Sequence, residues 1–440
     1  MPLSRRTLTS AGVARASAAA FEPSRQECVG LELEWPVHRL GDVSARPATS
    51  DAVMTAGWTL PAGGRISFEP GGQVELSTAP ARSAAAALQA AETDSRALHA
   101  RMAAAGFACE TLAVDHRRPP RRVLQQPRYQ AMERFFAEQG PAGAWMMCNT
   151  ASTQVNISHN QIDPHQRWYV LHQIAPVLIA AFANSAGLDA GGRRWSSLRQ
   201  AIWWSIDAPR TRPVRTDIAP ELAWQAYALA ANVMFIRTGD TADGGASGIA
   251  VRPGLPFGRW MAIGHPAGWP TVEDYRYHLS TLFPPVRPRG WLELRVLDAL
   301  PGWIREVAVL TVAAACTTGA ARELRRRLPD ASRLWVAAAR DGLCHPVLDS
   351  AARILLAVVR DHLGSVSTEA GHAALVEEYA ARCIRRSGAR GSDPAALHEE
   401  HRAGAIHVAE PGIGHARDIT NRGPASHRGD SATVRHDGSR

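Results

Sequence analysis

Four stretches of this chain alternate polar and apolar residues with a period of two, and each gathers its chemistry on one face. In Val29–Trp35, Glu32 and Glu34 fall on one side and Leu31, Leu33 and Trp35 on the other. Across residues 65–77, Ser67 and Glu69 oppose Ile66 and Phe68. After Pro70, Gly71 and Gly72, residues Gln73, Glu75 and Ser77 oppose Val74 and Leu76. Gln154, Asn156 and Ser158 alternate with Val155 and Ile157, and Glu293 and Arg295 with Leu292 and Leu294. Such alternation predicts half-buried strands, and the Pro-Gly-Gly break predicts a hairpin. A solvated face of any antiparallel sheet gives the same pattern, so one strand alone carries no functional message.

The intervening segments read mostly as helices. Residues 82–105 are Ala-rich and stop at Gly106; residues 128–136 form a second helix. Asp163 and Pro164 predict an N-cap and first turn for a helix that ends at Gly187. Residues 107–115 are expected as a strand, and 223–237 as a helix finishing in a strand. After Pro301 the composition is helical to about 386, with breaks near 329, 343–346 and 364–367. Residues 1–26 are expected to be a flexible leader. Residues 387–440 hold too few large apolar side chains to order and are expected to be a disordered tail. The remaining 27–386 reads as one α+β domain, a sheet part over 27–300 and a helical part over 301–386.

Composition narrows the function. At 440 residues and 45% hydrophobic content the chain can bury a large core. The formal net charge of +8 comes with no basic patch interleaved with aromatics, which argues against nucleic acid. Six cysteines without a CxxC pair signal neither zinc nor a redox motif. No apolar run of about 18 residues predicts a membrane span, and the N-terminus lacks an apolar signal core. A cytoplasmic protein without an obligate protein partner is expected. All 49 basic residues are Arg. The absence of Lys excludes a Walker A loop and a Schiff-base enzyme.

Glu32, Glu34, Glu69, Glu75 and Glu293 are the acids on these polar faces. Carboxylates side by side repel unless a cation or a proton intervenes. Hard oxygen ligands suit Mg²⁺ or Mn²⁺, and several such ions with Arg nearby describe a triphosphate site. A curved antiparallel sheet with helices on its apolar side would turn the polar face into the inside of a funnel.

The run RISFEPGGQVELS at 65–77 closely resembles the signature of the plant and bacterial type of glutamate–cysteine ligase. Gly30-Leu31-Glu32-Leu33-Glu34 resembles that family's first acidic strand, and Thr153-Gln154-Val155-Asn156 its TVQVN strand. Ser197-Leu198-Arg199 with Trp203, Asp207 and Arg210-Thr211 resembles its Arg-containing substrate loop. The segment from His278 to Pro284, then Trp291 to Arg295 and Asp298, resembles its HLTTLFP…YLEMR…D run. The resemblance covers roughly 27–310, and the helical C-terminal part is most similar to the actinobacterial branch that feeds ergothioneine synthesis.

The resemblance implies a sheet funnel related to glutamine synthetase and the guanidino kinases. It also implies ATP and Mg²⁺, with L-glutamate and L-cysteine joined through a γ-glutamyl phosphate. On it, Glu32, Glu34, Glu69, Glu75 and Glu293 are expected as Mg²⁺ ligands and Arg295 as the catalytic phosphate contact. Gln154, Asn156, Arg128 and Arg199 are expected to bind substrate, with Arg65 and Arg210 as weaker candidates; Cys109 and Cys148 are expected in the core. The family's YLEMRGAD reads WLELRVLD here. The altered loop leaves the acceptor open between cysteine and another amine.

Overall fold

The computed structural model describes residues 7–23, 26–55, 57–240 and 246–388. Nearly all of the stretch expected to be a disordered tail, and residues 1–6 and 24–25 of the expected leader, lie outside the described residues. The organising element is a six-stranded sheet. Its strands are β1 (Val29–Trp35), β2 (Arg65–Phe68), β3 (Val74–Ser77), β4 (Ser152–Ser158), β5 (Val286–Pro288) and β6 (Trp291–Asp298). They lie in the order β5-β6-β4-β1-β3-β2 and every ladder is antiparallel. All four alternating stretches therefore join one sheet. Their aliphatic side chains (Leu31, Leu33, Val74, Leu76, Val155 and Leu294) are buried on its underside.

Helices close that underside and part of the top. In chain order, those that matter are α1 (Ser10–Ala18), α2 (Ala84–Ala104), α3 (Pro127–Ala137), α4 (Ala142–Asn149), α5 (Gln166–Ala181), α6 (Leu198–Trp204), α7 (Gly302–Ala315) and α8 (Pro346–His362). Ser83 caps α2 by accepting the Ala86 N–H, one of the donors a helix start leaves free. Lower down α2, buried Asp94 accepts the N–H groups of Ala62 and Gly64 and so fastens the approach to β2. α5 is buried almost all round, as expected of a helix without a polar face. It packs under β6, with α2 under β1 and β3, and α7 under β4.

Three expectations need correction. The stretch expected as a flexible leader carries α1, because Leu8, Val13 and Phe21 are buried and Thr9 caps the first turn. The expected strand 107–115 is broken: Phe107–Cys109 pairs with Val37–Arg39, and further on only an isolated bridge joins Val114 to Thr150. Helix α5 starts at Gln166 with His165 at its N-cap, so Asp163 and Pro164 belong to the preceding turn. Among the described residues, no single helix is long and apolar enough to cross a membrane.

Candidate active site

The polar face of the sheet forms the floor of a cavity of about 440 Å³. Residues of α3 and α4, and Ser280 and Phe283 from the loop before β5, wall it in. Pairing of β1 with β3 sets Glu34 directly opposite Glu75, and pairing of β2 with β3 sets Ser67 opposite Glu75. Glu69 follows β2, where the chain turns back through Gly72 at φ 86°, a region that favours glycine. Carboxylate oxygens of Glu34, Glu69 and Glu75 thereby come within 4.8 Å of one another.

The turn is held against the end of α4. Arg46 donates to the carbonyls of Gly71 and Cys148 at 2.9 Å each, and to Asn149 Oδ1 at 2.8 Å. Gln73 donates to the Thr150 carbonyl at 2.9 Å. A Cβ on Gly71 would fall 2.3 Å from the Cys148 carbonyl oxygen, so only glycine lets the turn approach this closely.

Electrostatics make the triad unusual. Burial, then Glu75 and Glu34, push the Glu69 carboxyl well above the ordinary range. Glu75 is raised by burial and Glu34. Glu34 is raised by burial, partly offset by Arg199 and Arg295. Glu32, on the same wall, is raised to about 7 by burial and by Glu293 and Glu75. Among the described residues, Glu34, Glu69 and Glu75 form no ion pair with an Arg. Crowded carboxylates without an ion-pair partner are the donor set of a hard dication, so the residues present fit Mg²⁺.

Glu293 departs from the expected set. It stands opposite Arg287 across the β5–β6 hairpin. It ion-pairs with Arg287 at 2.7 Å, with Arg289 at 3.2 Å, and with Arg295. Burial alone would raise its pKa; the three guanidiniums outweigh burial and hold it at about 2. It lies behind the cavity wall, fully buried, rather than with the triad. Alternation along the chain does not single out Arg287 and Arg289; the signal that could is a hairpin turning at Gly290, which sets Arg287 opposite Glu293.

The other expected residues separate into three groups. Arg295 and Gln154 line the cavity. Gln154 accepts from Arg295 at 2.7 Å and donates to Glu34 at 2.9 Å, which links the cationic and anionic sides. Arg128 lines it too, donating to the Ser280 carbonyl at 2.9 Å with Nε left without a partner. Arg199 and Asn156 lie just outside. Arg199, 2% exposed, donates to the Arg295 carbonyl at 3.2 Å, while its Nε and Nη1 have no partner. It faces a separate small cavity of about 20 Å³ that Arg295 also borders. Asn156 donates to Glu32 at 3.0 Å, so it orients a carboxylate where direct substrate contact was expected. Arg65 is exposed on the edge strand. Arg210 is fully buried and ties Asp207 to Thr281, a structural brace. Burial pushes the thiols of Cys109 and Cys148 up to about 12, so neither supplies a thiolate.

A family model described as glutamate-cysteine ligase family 2 matches residues 28–436. The chain is 38% identical over 346 residues to glutamate–cysteine ligase EgtA of Mycobacterium tuberculosis (strain ATCC 25618 / H37Rv), covering 75% of this chain and 78% of that protein. It is 29% identical over 253 residues to the chloroplastic glutamate–cysteine ligase of Medicago truncatula, covering 56% of this chain and 48% of that one. The solved glutamate–cysteine ligase from Francisella tularensis in complex with AMP superimposes with a TM-score of 0.42 at 12% identity, covering 86% of each chain.

Proposed function

This chain belongs to glutamate–cysteine ligase family 2, and we propose that the cavity over the polar sheet face is where it activates glutamate. It is an ATP-dependent glutamate–cysteine ligase. A carboxylate is a poor acyl donor because oxide or hydroxide is a poor leaving group. In the proposed course, a side-chain carboxylate oxygen of glutamate attacks the γ-phosphorus of ATP. The bond to ADP breaks and γ-glutamyl phosphate forms. The amine of cysteine then attacks the acyl carbon, phosphate leaves, and the amine proton passes to solvent or phosphate.

The observation that carries this reading is the convergence of Glu34, Glu69 and Glu75 within 4.8 Å, in a cavity whose other wall holds Arg287, Arg289 and Arg295. Glu34, Glu69 and Glu75, with Glu32 beside them, would hold Mg²⁺, which when bound neutralises phosphoryl oxygens. Arg295, fixed between Gln154 and Glu293, is placed to stabilise charge developing on the transferred group. Arg128 offers a guanidinium fork to a substrate carboxylate, and Arg199 supports Arg295 from behind. Cavity walls from α3 and α4 keep water from the acyl phosphate. We read 27–386 as one catalytic domain, because α7 packs directly on the sheet, and resemblance to the actinobacterial branch supports ergothioneine synthesis as the destination of the product.

A coupled ADP-release assay over a panel of amino acids tests this. ADP release should require Mg²⁺, glutamate and cysteine together, with γ-glutamylcysteine as the product. Release with glutamate that ignores cysteine but responds to another amine would assign a different acceptor.

A further inference from the structure

Trp291 stands on the wall of the main cavity and is 38% exposed, although Leu292, Glu293 and Leu294, which follow it in β6, are buried. The ring does not hang loose. Its indole N–H donates to Asn156 Oδ1 at 3.1 Å, and Asn156 is itself held on Glu32. The Arg289 guanidinium lies over the ring, 5.2 Å from its centroid, and is anchored by Glu293. Beside Asn156, on β1, the sheet carries no side chain. Gly30 pairs with Asn156, and a Cβ built there would make ordinary contact with Asn156 Cβ at 3.7 Å and Thr78 Oγ1 at 3.9 Å. An oriented aromatic plate thus stands on the cavity wall, two strands across the sheet from Glu32.

The other aromatics of the cavity lie beside its charged groups. Trp203 and Phe283 pack edge to face on each other, and both lie against Arg295. Tyr129 sits near Glu69 and Glu75. Of the three substrates, glutamate and cysteine have no π face; only ATP brings a planar aromatic ring. Indole is the best of the side-chain faces for stacking, and a guanidinium can back such a stack.

The geometry points to Trp291, backed by Arg289, as the platform on which the purine base of ATP stacks, its triphosphate running along the sheet past Glu32 toward Glu34, Glu69 and Glu75. This rests on the cavity being the nucleotide site. Trp291 is then a binding residue for the base, and Asn156 a positioning residue that serves both the ring and Glu32.

Calorimetric titration of the full-length protein with Mg·ADP and with Mg·tripolyphosphate, which has no base, tests the assignment. Trp291→Ala should weaken Mg·ADP binding by about ten- to a hundredfold, the range expected for loss of one base–aromatic stack, and leave Mg·tripolyphosphate binding unchanged. The KM for ATP should rise with the KM for glutamate unaltered, and Trp291→Phe should restore most of the ADP affinity. Unchanged ADP binding in Trp291→Ala would overturn the proposal. An equal loss for both ligands would also overturn it, by placing the effect in Asn156 and Glu32. If the wild-type protein bound neither ligand, the nucleotide reading of the cavity itself would fail.

Discussion

The carboxyl of Glu69 shows how a residue can serve function at the expense of the metal-free fold. Burial, Glu75 and Glu34 all oppose its charge, and no Arg among the described residues pairs with it. Its folded pKa is raised, so whatever it contributes to stability is present at low pH and lost as pH rises through the folded value. Glu69→Gln mimics the protonated form. We expect the metal-free variant to melt a few degrees higher at pH 8, by about 1 kcal/mol or more, while ligase turnover falls by at least about a hundredfold. Calorimetry and the coupled assay measure the two effects; a variant that keeps wild-type turnover would exclude Glu69 from the site. His278 titrates in the opposite sense. It sits in the motif that resembles the family's HLTTLFP run, yet it is buried in the core and bonded to the Ala228 carbonyl at 2.9 Å. Burial, then Arg210, lowers it to about 3. Its contribution is full above pH 6.5 and is lost as pH falls toward 3. At pH 4.5 the loss is about 2–3 kcal/mol. Urea unfolding of His278→Gln should therefore decline less between pH 7 and 4.5 than the wild type does; parallel profiles would contradict a neutral core histidine.

The hairpin β2–β3 is the element on which the site turns. Its period-two pattern and its Pro-Gly-Gly turn are legible in the sequence alone, as are the polar faces of β1, β4 and β6. What alternation cannot supply is register. That Glu34 meets Glu75, and Glu293 meets Arg287, follows from how the strands pair. Arg287 and Arg289 escape a pattern-based reading because Pro284, Pro285 and Pro288 break the alternation there. Helix α1 escapes it because its Ala and Arg content shows no apolar stripe; a few side chains, Val13 among them, tie it down. The docking of the turn on α4 is equally silent in sequence. It predicts that Gly71→Ala is costly, since the new Cβ meets the Cys148 backbone, which cannot swing aside as a side chain would. A loss of about 2–3 kcal/mol and a marked fall in turnover are expected from thermal melts and assay. A wild-type melting temperature would show that the turn is not held as described.

Across the whole molecule, the sheet separates two kinds of chemistry. Beneath it lies a core shared with α2, α5 and α7; above it, one cavity sets acids on β1, on β3 and in the turn after β2 against guanidiniums on and beside β5 and β6. Gln154 and Asn156 on β4 form the seam, each bonded to an acid on β1. This division explains why the expected set of five acids resolves into a triad, a neighbour and a buried counter-charge. Carboxylates that form no ion pair with Arg stay crowded and available to a cation, whereas Glu293 is neutralised by three Arg side chains. The central claim is that the crowded half holds the metal of the nucleotide. Anomalous difference density from crystals grown with Mn²⁺ and a non-hydrolysable ATP analogue tests it most directly. The account predicts a peak bounded by Glu34, Glu69 and Glu75, with the phosphates between it and Arg295. Mn²⁺ bound elsewhere, with those three carboxylates bare, would contradict it.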